Sequence, residues 1–201
     1  MKLIRTITAL LLCAACLTSF SACGKKGMNY TEEELPYGAT MRQNKTSYPV
    51  PITYDRRFIT EEQVVAVTGL LGGIQNADAE LYTKSTLDFY AEYQLQVYSV
   101  DNPQAMVQQF HDNLAKSTGD DFTFSMALIN GIAQNRDNGN ISSMLTLLDG
   151  IYEGSGKFSD TVEEVYDLTM EWDIVYTGGT QVLDDEHIYL LKTGDGYFAV
   201  M

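Results

Sequence analysis

The chain has 201 residues, of which 45% are hydrophobic, and its 27 acidic and 13 basic residues give a formal net charge of −14. This acidity argues against nucleic acid as a partner, because binding to phosphates needs a basic patch. The length is enough for one folded domain with its own core.

The first 22 residues have the three parts of an export signal. Lys2 and Arg5 form the positive start, residues 7–17 form an apolar run, and two small residues stand before Cys23. The apolar run is shorter than the roughly 20 residues that a spanning helix needs, and no second long apolar run follows. We therefore predict a cleaved signal peptide over residues 1–22.

The stretch FSAC, residues 20–23, resembles the lipobox of bacterial lipoproteins, although Phe20 stands where that family usually has Leu. The resemblance implies that the chain is cut before Cys23 and that the Cys23 thiol carries a diacylglyceryl lipid, with no other cofactor. Cys13 and Cys16 leave with the signal, so Cys23 has no disulfide partner. The expected location is the extracytoplasmic face of the cell membrane, held by the anchor. Plain secretion with a chance cysteine is the alternative.

Residues 23–58 are predicted to be a lipid-anchored tether. It begins with GKKG, which is typical of a flexible linker. The stretches ELPYGATM and SYPVPITYDRRF are richer in apolar residues, and their prolines disfavour helix. We expect the later part of the tether to pack in extended form on a single domain, which we place at residues 59–201.

Three helices are predicted in the first half of the domain. Thr60 and Gln63 form a capping box, Asp78 can cap the next helix, and Pro103 suits the first turn of the third helix. The three helices are expected to span about 60–73, 78–90 and 103–118.

The second half of the domain is predicted to consist mainly of strands. In DFTFSMALI the period becomes two, which predicts a strand with Phe122, Phe124, Met126 and Leu128 on one face. An apolar stripe predicts a fourth helix over 141–152. After it, strands are expected at residues 166–176 and 187–192, and the last strand is YFAVM.

The longest strand, VYDLTMEWDIVY, alternates cleanly between two kinds of residue. Its aromatic and aliphatic side chains are expected to face the core, whereas Asp167, Glu171 and Asp173 are expected to face water. This pattern is typical of an antiparallel sheet with one buried face.

This order of helices and strands resembles the nuclear-transport-factor-two-like domains found in many bacterial lipoproteins. The pieces that carry the resemblance run from about residue 60 to the end: IQNADAE, NPQAMVQQFHDNL, VYDLTMEWDIVY and KTGDGYFAV. The resemblance implies an α+β cone, with helices packed on a curved antiparallel sheet, often around an apolar pocket. The helix at 141–152 departs from the pattern, and a different α+β meander is the alternative.

The residues do not assemble a catalytic or metal-binding set. The chain has two histidines, His111 and His187, and no GxSxG motif. Residues 184–187 and 137–140 contain metal-ligand types, but we interpret both stretches as solvated turns. If a pocket exists, its expected walls are Phe124, Met126, Tyr166, Met170 and Trp172. The alternative is that these side chains only fill the core.

We therefore expect a non-catalytic module that binds a small molecule or an unidentified protein at the cell envelope. The first alternative is a small pocket enzyme of the isomerase or dehydratase type, because that resemblance includes such enzymes. The second alternative is a structural protein of envelope assembly. Fold resemblance alone does not choose among them.

Overall fold

The computed structural model describes residues 31–44 and 46–201. It divides the chain into two units, Met1–Leu35 and Pro36–Met201. In the first unit the described part contains a short 3-10 helix, Glu32–Glu34. The predicted signal peptide and Cys23 lie outside the described residues. Among the residues that are described, no helix combines the length and the apolar character needed to cross a membrane.

The second unit has an α+β fold, as predicted. Within residues 36–201 the structure has five α-helices and one six-stranded, mostly antiparallel open sheet, whose strands lie side by side in chain order. The helices are α1 (Glu61–Gln75), α2 (Ala79–Ser85), α3 (Asp88–Tyr98), α4 (Pro103–Thr118) and α5 (Gly139–Ile151). The strands are β1 (Met41–Asn44), β2 (Ile52–Asp55), β3 (Thr123–Ala133), β4 (Glu164–Tyr176), β5 (Gly179–Thr193) and β6 (Gly196–Val200).

The helix starts follow the local capping signals. Thr60 N donates to Gln63 Oε1 at 2.7 Å and Gln63 N donates to Thr60 Oγ1 at 3.4 Å, which confirms the predicted capping box. The prediction of one helix over 78–90 was wrong. Thr86 is extended (φ −120°, ψ 171°), so α2 ends and a separate α3 follows. The break sends Tyr82 and Tyr90 into different clusters of the core.

The sheet carries a hydrophobic cluster on each face. On the first face, Leu168, Met170 and Trp172 of β4 pack with side chains of α1, α2 and α4. On the second face, Val165 of β4 packs with side chains of α3 and α5. Because α5 covers part of the second face, the expectation that every alternate residue of β4 faces water was wrong at Asp167, which is only 3% exposed.

A β-bulge in β3 reverses the predicted alternation. Phe124 lies opposite Ile174, but Met126 lies opposite Asp173, so Ser125 is an extra residue in β3. Met126 is therefore on the second face of the sheet. The prediction of one continuous row from Phe122 to Leu128 was wrong, because the bulge gives the next first-face position to Ala127.

The sheet also includes residues before Ile59, where the sequence had placed the start of the domain. Strand β2 pairs in parallel with β3 through Ile52 and Ala127, and it pairs in antiparallel fashion with β1. Ile52 and Tyr54 are fully buried in the first-face cluster. Their apolar alternation explains why this segment lies within the fold rather than along its surface.

Candidate functional site

An apolar cavity of about 300 Å³ lies between the first face of the sheet and the helices. Its wall is made by residues of four helices, β3, β4 and the residue after β6. The lining residues are Leu71, Ile74, Tyr82, Gln94, Tyr98, Phe110, Asn113, Leu114, Phe124, Trp172 and Met201. This volume is at the lower end of the range for pockets that bind small molecules.

The cavity has a buried base and an exposed rim. Leu71, Tyr82 and Trp172 are almost fully buried, whereas Tyr98 and Met201 are 37% and 39% exposed. A ligand would therefore enter past the rim and lose contact with water as it reached the base. Burial of this kind favours ligands with a large apolar surface.

Aromatic side chains dominate the wall. Tyr98 and Phe110 meet edge to face at 4.9 Å between ring centroids, and Phe124 and Trp172 do so at 5.8 Å. Tyr82 lies 5.5 Å from Phe110. These contacts hold the rings in fixed orientations, because edge-to-face pairs are among the preferred geometries of aromatic side chains.

Trp172 is the one tryptophan of the chain, and its indole N–H is a buried donor without a hydrogen-bond partner in the described part of the chain. The side chain is 3% exposed and lies on the first face, where the pairing with Leu183 of β5 places it. A buried donor left unsatisfied costs about 1–3 kcal/mol. A ligand with an acceptor atom that reached this N–H would remove that cost.

The remaining polar side chains of the wall are neutral. Tyr82 donates its hydroxyl hydrogen to Gln94 Oε1 at 2.9 Å. Burial raises the pKa of Tyr82 well above its usual value, so its hydroxyl stays protonated. Of the cavity's lining residues, none has an acidic side chain, a histidine or a basic side chain. The wall therefore offers apolar contact and neutral hydrogen bonds.

Of the five side chains predicted from the sequence to line a pocket, two border this cavity. Phe124 and Trp172 border the cavity, whereas Met170 and Tyr166 are buried in the first-face cluster outside its wall. The Tyr166 hydroxyl donates to Glu164 Oε2 at 2.5 Å. Met126 lies on the second face, where its sulfur accepts from Thr53 Oγ1.

The residues that the helices contribute to the cavity wall were not predicted from the sequence. The apolar stripe of α4 could have indicated two of them, because Phe110 and Leu114 follow Met106 at helical spacing and both border the cavity. Tyr82 and Gln94 lie on opposite sides of the break at Thr86, which the predicted single helix over 78–90 did not include.

The acidic stretch before His187 forms a β-bulge in β5, opposite Glu171. Asp185 has a φ of +62°, a left-handed conformation. His187 itself contacts Asp167 on the second face. Across the residues that the structure describes, no group of three His, Cys, Asp or Glu side chains is placed to hold a metal ion.

When the chain is compared with protein-family models, with curated proteins and with solved structures, none of the three comparisons finds a match. The function is therefore inferred from the geometry of this chain.

Proposed function

We propose that the protein is a lipid-anchored binding module that takes a small, uncharged and mostly apolar ligand into the cavity bordered by Trp172. The observation that carries the proposal is an aromatic cavity bordered by Trp172, whose buried indole N–H has no hydrogen-bond partner in the described part of the chain. Such a site combines apolar area for affinity with one directional donor for orientation.

The charge of the ligand follows from the wall and from the chain as a whole. A buried ion needs a partner of opposite charge, and the lining side chains supply none. The net charge of −14 repels anions before they reach the rim. An uncharged molecule with one acceptor, such as a carbonyl or ether oxygen, suits the cavity best.

A binding role is favoured over the isomerase or dehydratase alternative. Acid–base catalysis in the cavity would need a titratable side chain within hydrogen-bond reach of the ligand. Tyr82 and Tyr98 are the titratable side chains among the lining residues. The raised pKa of Tyr82 makes its hydroxyl a weak acid and keeps it protonated near neutral pH, so the phenolate that could act as a base is not formed.

The lone tryptophan makes the binding proposal directly testable. We would titrate the full-length chain with N-phenyl-1-naphthylamine, an uncharged apolar probe, and follow Trp172 emission. Saturable quenching is expected. In Leu114→Phe the larger side chain fills part of the cavity. We expect the variant to bind the probe about tenfold more weakly, which corresponds to a loss of ~1.4 kcal/mol of binding free energy.

The matched control is Leu147→Phe, a half-buried leucine of α5 packed against the second-face cluster. This variant should bind the probe as the unchanged chain does. The proposal fails if Trp172 emission shows no saturable change in the folded protein, or if the two variants bind equally well.

The anchor is proposed from the lipobox resemblance alone. A diacylglyceryl group on Cys23 supplies two acyl chains, which hold a protein firmly on a membrane, whereas one chain holds it only marginally. With Cys23→Ser, the chain should lose its acyl label and no longer pellet with membranes at high salt. Retention of both would remove the anchor from the proposal and leave the cavity unaffected.

For the fold, we propose that the domain is a nuclear-transport-factor-two-like cone. The succession of helices followed by long antiparallel strands supports this, as does a ligand-sized cavity between helices and sheet. The parallel pairing of β2 with β3 and the position of α5 between strands are departures. An experimental structure whose sheet is flat, rather than curved around the helices, would contradict the cone.

A further inference from the structure

The second face of the sheet contains an aspartate and a histidine in close contact. Asp167 of β4 is 3% exposed, and its Oδ1 lies 2.6 Å from Nδ1 of His187 on β5. The other carboxylate oxygen, Oδ2, accepts from Asn140 Nδ2 at 3.0 Å. Three elements, α5, β4 and β5, therefore fix the carboxylate from both sides.

This contact fixes the tautomer of the His187 ring. Because Asp167 Oδ1 is an acceptor, Nδ1 carries the proton and donates it to the carboxylate. In the neutral ring with this tautomer, Nε2 has a free lone pair. Among the described residues Nε2 has no hydrogen-bond partner, and the Asp185 carboxylate lies 3.9 Å away, beyond hydrogen-bond range.

The ring is held but remains accessible. The Tyr189 ring lies nearly parallel to it, with centroids 6.4 Å apart and an angle of 22° between the planes. The His187 side chain is 31% exposed, compared with 4% for Asp167. The pair therefore combines a buried carboxylate with a partly exposed imidazole.

We propose that Asp167 and His187 form a proton-transfer dyad, in which His187 Nε2 acts as a general base on water and Asp167 positions the ring. The same division of roles operates in the Ser-His-Asp triad, where a buried aspartate orients the imidazole and stabilises the charge that it acquires. The activity assigned here is hydrolysis of small uncharged esters. It is separate from ligand binding in the cavity.

The chemical step requires only the ester and water. Nε2 takes a proton from a water molecule while the water oxygen forms a bond to the acyl carbon. The tetrahedral intermediate then breaks its bond to the leaving oxygen. A good leaving group departs as the anion, and the imidazolium then releases its proton to solvent, so the products are a carboxylic acid, the anion and a proton. A poor leaving group takes the proton from the imidazolium as it departs, so the products are a carboxylic acid and an alcohol.

The surface beside His187 indicates the class of substrate. Thr169 lies opposite His187 in the sheet, and Gly131 lies opposite Thr169, so one row of this face lacks a side chain at its end. Asp185 and Glu171 flank the row with negative charge. An acyl group without negative charge could lie along this row, whereas anionic esters would be repelled.

His111 provides an internal control. Its Nδ1 lies 2.9 Å from the carbonyl oxygen of Gln75, so the ring has the same tautomer but no carboxylate partner. It is half-buried and packs 4.8 Å from the Phe122 ring. The chain thus offers two histidines that differ mainly in the group that positions them.

The test is hydrolysis of p-nitrophenyl acetate by the full-length chain, measured as release of p-nitrophenolate. His187→Gln should reduce the rate to that of buffer, whereas His111→Gln should leave it unchanged. Asp167→Asn should lower the rate on the order of 10²-fold, the low end of the range for general acid–base catalysis. Equal rates for the unchanged chain and His187→Gln would overturn the proposal.

A second measurement is made on the unchanged chain, so its main result does not depend on whether a variant folds. Ring ¹⁵N shifts distinguish the two tautomers, and His187 is expected to carry its proton on Nδ1 in the unchanged chain. In Asp167→Asn the side-chain amide can donate to Nδ1, which moves the proton to Nε2 and removes the base. A proton found on Nε2 in the unchanged chain would contradict the positioning role of Asp167.

Discussion

Asp55, at the end of β2, accepts hydrogen bonds from three neighbouring residues, and its replacement should reveal how strongly they stabilise the fold. Oδ2 lies 2.7 Å from Arg57 Nη2, and Oδ1 accepts from Thr40 Oγ1 at 2.6 Å. Gly38 N donates to Oδ2 at 2.9 Å. The Asp55 side chain is completely buried, and that of Arg57 is 11% exposed. The carboxylate thus ties residues 38–40 to the turn that leads into α1.

We predict that Asp55→Asn is strongly destabilising. Asparagine keeps the shape of the side chain but places an NH₂ group where the donors of Arg57 and Gly38 now point. Breaking a buried ion pair in this way costs roughly 3–5 kcal/mol. For a chain of this size, each 1 kcal/mol corresponds to roughly 2–4 °C in melting temperature, so the expected fall is roughly 6–20 °C.

The loss of stability caused by Asp55→Asn should become smaller as the pH falls. The Arg57 guanidinium, helped by the Thr40 and Gly38 hydrogen bonds, holds the pKa of Asp55 far below its usual value of 3.8. The unfolded chain therefore takes up this proton at a higher pH than the folded chain does. The stabilisation is complete above the unfolded pKa and is lost as the pH falls towards the folded value.

Thermal unfolding followed by circular dichroism would measure this difference. The control is Asp78→Asn at the start of α2, where Asp78 Oδ1 accepts from Leu81 N and asparagine caps equally well. The control should change the melting temperature little at any pH. The reasoning is refuted if Asp55→Asn behaves like the control near neutral pH, or if its deficit stays constant as the solution becomes acidic.

Two further predictions concern packing and a surface network. Gly73→Ala should destabilise by roughly 1–3 kcal/mol in urea unfolding, because a Cβ would lie 2.8 Å from Tyr82 N. The same change at Gly150, where a Cβ meets nothing within 4 Å, should stabilise by up to about 1 kcal/mol. Equal changes in stability for the two variants would contradict the close contact between Gly73 and Tyr82. Glu164→Gln should cost about 1 kcal/mol or less near neutral pH. Hydrogen bonds to Glu164, first among them the one from Tyr166, lower the pKa of Glu164. The loss of stability in Glu164→Gln should therefore become smaller as the solution becomes acidic. A loss that became larger in acid would contradict the stabilising role of these hydrogen bonds.

Local signals in the sequence were enough to predict several elements. The Thr60–Gln63 capping box and the Pro103 start of α4 depend only on neighbours along the chain, and both are present. The alternation in β4 correctly placed Leu168 and Trp172 on one buried face. These features are short-range, so a single sequence contains the information that determines them.

The candidate sites depended on contacts that no local pattern contains. The bulge at Ser125 is a mismatch between β3 and β4, and it moved Met126 away from the predicted wall. Asp167 was expected in water because its own strand alternates, but α5, residues 139–151 of the chain, covers that part of the face. Both departures arise between elements rather than within them.

Strand β4 supplies both proposed sites, and its alternation makes them independent. Trp172 points to the first face and Asp167 to the second, and five residues of extended strand separate them by about 17 Å. Changes at sites this far apart, with no shared contacts, usually have additive effects. Leu114→Phe should therefore leave ester hydrolysis unchanged, and Asp167→Asn should leave probe binding unchanged. If either variant altered the other activity, the sheet would have to transmit a structural change between its faces, and the assignment of two separate sites would be wrong.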